Sequence, residues 1–72
     1  MSVFKSLELV GTSPQSFEDA VRTAVKRAGE SMRDLEWMEV VEQRGYIKGG
    51  EVQEYQAKIR VWFKLEGADG PS

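Results

Sequence analysis

Five side chains in the second half of this chain carry binding chemistry: Trp37, Gln43, Arg44, Tyr46 and Gln56. An indole on an open sheet face is a platform for a flat ring. A carboxamide such as Gln56 offers one acceptor oxygen and two N–H donors, which suits the rim of a heterocycle that alternates C=O and N–H groups. Arg44 presents a fork of donors that matches a phosphate. Catalytic chemistry is poorly represented. The chain has no His and no Cys, which removes the usual general base, the thiol nucleophile and the commonest zinc ligands. Glu36, Glu39 and Glu42 invite comparison with an acid–base pair. Solvated or ion-paired strand charges are the expected role for all three. Gly45, Gly49 and Gly50 build neither a dinucleotide fingerprint nor a P-loop. The residues predict a binding protein and no enzyme.

These side chains must be positioned by strands. Leu35 to Lys48 and Glu51 to Leu65 flank Gly49-Gly50, a two-glycine hairpin signal. In the last strand Tyr55, Ala57, Ile59, Val61, Phe63 and Leu65 alternate with Gln56, Lys58, Arg60, Trp62 and Lys64, the clearest period-two pattern in the chain. Val3 to Val10 alternates as well, with Lys5, Leu7 and Leu9 set against Phe4, Ser6 and Glu8. Between them lies one helix, Pro14 to about Ala28. Ser13 is expected as its N-cap, Pro14 at its first position, and Gly29 as its C-cap, with fraying toward Ser31. Phe17, Ala20, Val21, Ala24, Val25 and Ala28 recur at helical spacing and predict the stripe that meets the sheet. The expected fold is α+β: β-α-β-β, a three-stranded antiparallel sheet in the order 2-3-1, packed on one helix. A two-residue turn at Gly49-Gly50 puts Trp37 opposite Trp62, Glu39 opposite Arg60 and Gln43 opposite Gln56, all on the face away from the helix. A bulge would change these pairings.

The lengths do not match. Each hairpin arm should run on the order of 45 Å at the strand rise, whereas the helix is only ~22 Å long. Much of the sheet, Trp37 and Trp62 included, must then be wet or be covered by other copies and a ligand. The whole chain is 72 residues, one domain, with the Gly-rich end from Glu66, residues 67–72 above all, expected to be flexible. A domain of this size buries only about 60% of its unfolded surface. Without disulfides or a thiolate metal site, oligomerisation is the remaining aid to stability. Ten Lys and Arg against twelve Asp and Glu leave a net charge of −2, which argues against nucleic-acid binding. No apolar run approaches the ~20 residues of a membrane span, and Met1 to Lys5 lack the apolar region of a signal peptide. The expected location is the cytoplasm.

The stretch FKSLELVGTSPQSFEDAV, then LEWMEVVEQRGYI, then EVQEYQAKIRVWFKLEG resembles the dodecins, from about Val3 to Gly67. The resemblance implies a small flavin-binding protein that assembles as a hollow homododecamer, with flavins held in pairs between symmetry-related tryptophans at subunit contacts. By position, Trp37 is implied as the stacking tryptophan and Gln56 as the glutamine on the flavin's pyrimidine edge. Arg44 corresponds to an arginine associated with phosphorylated flavin, and Tyr46 to a neighbouring, more variable position. Glu42 falls where some members carry an acidic residue near an ion site; no metal site is assigned. The resident ligand is left open among riboflavin, FMN, FAD and the breakdown product lumichrome. The function implied is storage and photoprotection of flavin. Two rivals are set against it: a structural or protein-interaction oligomer anchored by Trp37 and Trp62, and a nucleic-acid module built on Lys58, Arg60 and Lys64.

Overall fold

The computed structural model describes residues 1–65; the expected tail lies outside them. The element order is β1 (Phe4–Ser13), α1 (Phe17–Ser31), β2 (Leu35–Lys48) and β3 (Glu51–Lys64). The strands form one sheet in the order β1-β3-β2, and both pairings are antiparallel. This is the expected β-α-β-β fold, with β3 at the centre. Its period-two pattern is used as read: Ala57, Ile59 and Val61 are buried against the helix, and Tyr55 meets Phe17 edge-on at 5.0 Å. The helix contributes Ala20, Ala24 and Ala28 to the same core, with Leu7, Leu9, Val21, Val25, Met32, Leu35 and Met38 packed around it.

The helix starts later than the sequence predicts. Ser13 is not its N-cap: it is still in the β1–β3 ladder, opposite Tyr55, and a residue held in a sheet cannot open a helix. The cap is Ser16, whose backbone is extended and whose hydroxyl accepts the Asp19 N–H at 3.0 Å. Pro14 therefore precedes the helix instead of opening it. Ser13 acts from inside the strand. Its hydroxyl donates to Asp19 Oδ2 at 2.7 Å and accepts the Gln15 N–H at 2.9 Å. At the other end Gly29 does not stop the helix, which continues to Ser31 and closes with Met32 N–H on the Ala28 carbonyl at 2.9 Å. Packing of Met32 against the core fixes that end. Ser16→Ala should cost about 1 kcal/mol, read as a lower unfolding midpoint in denaturant with unchanged slope.

β1 also outruns its predicted end at Val10. Gly11, Thr12 and Ser13 stay paired with Ala57, Gln56 and Tyr55. Gly11 is there for contact with the helix. A Cβ at this position would overlap the Ala20 carbonyl oxygen and lie 2.9 Å from the Ala24 Cβ. At the hairpin tip, Gly49 and Gly50 have φ of 63° and 80°, the positive values that a two-residue turn with matching twist demands.

The helix covers only the base of the hairpin. Every β2 residue after Met38 is exposed. The molecule measures 57 × 19 × 12 Å, with a radius of gyration of 15.1 Å; a compact domain of this length would have about 11 Å. Uncovered apolar side chains run along the arm: Val40, Val41, Tyr46, Ile47 and Val52.

Candidate functional site

Pairing along β3 sorts the side chains onto two faces, because alternate residues of a strand point to opposite sides. Gln56, Lys58, Arg60 and Trp62 turn away from the helix. Their β2 partners are Arg44, Glu42, Glu39 and Trp37, and their β1 partners are Thr12, Val10, Glu8 and Ser6. Two of the three predicted pairings are observed, Trp37 opposite Trp62 and Glu39 opposite Arg60. The third is corrected: Gln43 lies opposite Ala57, and Arg44 takes the place opposite Gln56. The cause is a pair of register shifts. One falls between Val40 and Glu42, leaving Val41 as the extra residue of β2; another falls between Tyr46 and Ile47, leaving Gln53 as the extra residue of β3. Each shift moves the ladder by one position, and the second undoes the first. Between them Arg44 shares a face with Gln56, and Gln43 is turned to the other side.

At the base of this face is an aromatic cluster. Trp37 is 52% exposed and lies near-parallel to Trp62, with ring centroids 6.4 Å apart and 26° between planes. Phe4 approaches Trp37 from across the sheet at 4.9 Å, tilted by 42°. The Trp62 indole N–H donates to Glu39 Oε1 at 3.0 Å. Arg60 donates to the same oxygen at 3.2 Å and to Glu8 Oε2 at 2.8 Å. The bond to Glu8, then that to Glu39, raises the guanidinium pKa above its ordinary value. This network pins Trp62, whereas Trp37 keeps an open flank.

A polar group sits further up the arm. Arg44 Nε donates to Gln56 Oε1 at 2.7 Å, and Gln56 Nε2 donates to Glu54 Oε1 at 2.8 Å. A small depression of about 60 Å³ is lined by Val10, Glu42, Arg44, Gln56 and Lys58. An open groove of about 270 Å³ is lined by Arg44, Gly45, Tyr46 and Gln56. Tyr46 is 55% exposed. Glu42 lies 3.8 Å from Lys58, and among the described residues no three His, Cys, Asp or Glu side chains are grouped to hold a metal ion. No helix among those residues is long and apolar enough to cross a membrane.

Of the sequence-predicted site residues, Arg44, Tyr46 and Gln56 are thus brought together and Trp37 is not. Trp37 lies opposite Trp62, six residues along β3 from Gln56, which is about 20 Å at the strand rise. Three side chains escaped the sequence reading: Phe4, Glu8 and Glu54. Glu54 had a local signal, since residues two apart on a strand share a face. Phe4 and Glu8 had none, because their contacts need the register between β1 and β3.

The comparisons with known proteins agree with this architecture. The dodecin family model matches residues 3–66. The dodecin of Thermus thermophilus is 47% identical over 64 residues, covering 89% of this chain and 93% of that protein. A calcium dodecin of Mycobacterium tuberculosis is 38% identical over 68 residues, covering 94% and 96%. The structure of a dodecin from Streptomyces coelicolor superimposes with a TM-score of 0.85 at 41% identity, covering 89% of this chain and 91% of that one. With its strand order, its exposed tryptophan and a match along nearly the whole sequence, this chain belongs to the dodecin family.

Proposed function

We propose that this protein holds a flavin, riboflavin or FMN, against Trp37, with the polar rim of the ring met by Gln56, and that its role is storage and protection of the flavin, not catalysis. At the family level dodecins are small flavin-binding proteins, and self-assembly comes with the family. The single observation that carries the finer reading is the Trp37 indole, 52% exposed beside two further rings on a sheet face that α1 does not cover. Stacking on an aromatic side chain contributes about 1–3 kcal/mol per ring in the analogous case of nucleobases.

Trp37 and Gln56 of one protomer are too far apart for one ring. Three fused rings span about half their separation. A flavin touching both therefore takes Trp37 from one copy and Gln56 from another, which makes the site incomplete in a monomer. We read the assembly as a homododecamer in the cytoplasm. Arg44 is the residue for a flavin phosphate: Nε is engaged by Gln56, while its terminal nitrogens make no hydrogen bond among the described residues. An indole against a photoexcited flavin supplies an electron and takes it back, which discharges the excited state as heat. The calcium of the mycobacterial relative's name is not extended to this chain, whose Glu42 faces a lysine.

The test is a titration of riboflavin and FMN with purified protein, followed by flavin emission and by native mass. Emission should fall to near zero at stoichiometric protein. Arg44→Met should weaken FMN about tenfold more than riboflavin, the worth of a charge-assisted bond. A high-mass assembly that leaves both emissions unchanged would leave the purely structural oligomer as the reading.

A further inference from the structure

We propose that Glu54 is a specificity-determining residue: together with Arg44 it locks the Gln56 carboxamide in one of its two flip states, so the amide meets a ligand with its acceptor and donor in a fixed order. The inference rests on the reading of Gln56 as the group that meets the ligand's polar edge.

The lock follows from what each neighbour can and cannot do. Gln56 Oε1 accepts from Arg44 Nε at 2.7 Å, and Gln56 Nε2 donates to Glu54 Oε1 at 2.8 Å. A guanidinium has no acceptor, and an ionised carboxylate has no donor. Turning the amide by half a revolution would set N–H against N–H at one end and oxygen against oxygen at the other. Two charge-assisted bonds would be lost at once. A glutamine between two neutral hydroxyls or amides has no such bias.

The backbone places all three groups. Glu54 and Gln56 are two residues apart on β3 and so share a face. Arg44 lies opposite Gln56, which the extra residue at Val41 brings about. Neither bond exhausts the amide. The oxygen keeps a second lone pair and the nitrogen a second N–H. What remains is one acceptor and one donor, in an order set by the protein. An imide edge, N–H beside C=O, is complementary: its N–H meets Oε1 and its carbonyl meets Nε2. An imide whose nitrogen carries a methyl group has lost the donor and presses that methyl on a lone pair that cannot swing aside.

The experiment compares riboflavin with its imide-N-methyl derivative on the assembled protein, by emission quenching. The wild type should bind riboflavin tighter by about tenfold or more, one hydrogen bond left unmade in a desolvated site. Glu54→Gln keeps the size of the side chain but tolerates either flip at its own end, which leaves Arg44 alone to hold the amide. It should weaken riboflavin about fivefold, since rotamer freedom must then be lost on binding. The preference over the methylated flavin should narrow to about threefold or less. Quenching at saturation should persist, because Trp37 is untouched. In the ligand-free protein, the two Gln56 side-chain N–H signals in ¹⁵N spectra should move and exchange faster with solvent. Wild-type affinity and preference in Glu54→Gln would overturn the proposal, as would unchanged Gln56 amide signals. Glu54→Ala repeats both measurements if the isosteric variant fails to assemble. If the wild type quenches neither flavin, it is the ligand reading that falls; the amide spectra still decide whether the lock exists.

Discussion

Trp37→Ala is expected to weaken flavin binding by about fivefold to 150-fold, the equivalent of the ~1–3 kcal/mol that one aromatic platform contributes. Trp62 is tied down by Glu39 and Phe4 is half-buried, so Trp37 offers the free face. The same substitution should restore emission to whatever flavin still binds, because the electron donor has gone. Trp37→Phe separates the two effects. It keeps a ring to stack on but gives a poorer electron donor, so affinity should fall less than quenching does. Binding isotherms and the emission of the saturated complex are the measurements. Full-strength binding by the alanine variant, with the assembly intact by mass, would remove Trp37 from the site.

The second large effect is on folding. Gly11→Ala should destabilise the protein by about 3 kcal/mol, at the upper end of the range for overpacking. The added methyl group would run into the Ala20 carbonyl and the Ala24 side chain, and a helix backbone cannot step aside as a flexible side chain can. For a chain of this size the thermal midpoint should drop by roughly 15 °C. Gly29→Ala is the control. That glycine lies within the helix, and the nearest atom to an added Cβ would be Leu35 Cδ1 at 4.0 Å. There alanine should add about 0.5–1 kcal/mol, the ordinary gain over glycine in a helix. Circular dichroism melts of the two variants should move in opposite directions. A Gly11→Ala protein that melts like the wild type would show that α1 does not rest on β1 at this point.

Both effects come from close contact between short elements, and that contact explains the composition of α1. Its buried residues are alanines. Small side chains let the helix axis sit low over β1 and β3, and Gly11 lets it sit lower still. The consequence is a thin base that holds a long ribbon, whose Ile47 and Val52 remain exposed near the tip. Burying such an arm takes other copies of the chain, and the separation of Trp37 from Gln56 asks for the same thing on behalf of a ligand.

How much of this was written in the sequence depends on the range over which each signal acts. Alternation along β3, helical spacing of the alanines and the Gly49-Gly50 turn are local, and from them alone come the β-α-β-β order, the central strand, and the excess of sheet over helix. Trp37 opposite Trp62 is also fixed by counting outward from the turn. It holds because the extra residues at Val41 and Gln53 fall on opposite strands and cancel. Between those two positions counting fails. No local pattern marks a residue that will be left unpaired, since that choice is settled by how β2, β3 and the helix twist and pack together. The tertiary structure therefore decided that Arg44 and not Gln43 stands beside Gln56, that Glu54 completes the trio, and that Ser13 belongs to the sheet while Ser16 starts the helix. Short-range chemistry named the side chains; the register of strands far apart in the chain determined which of them meet.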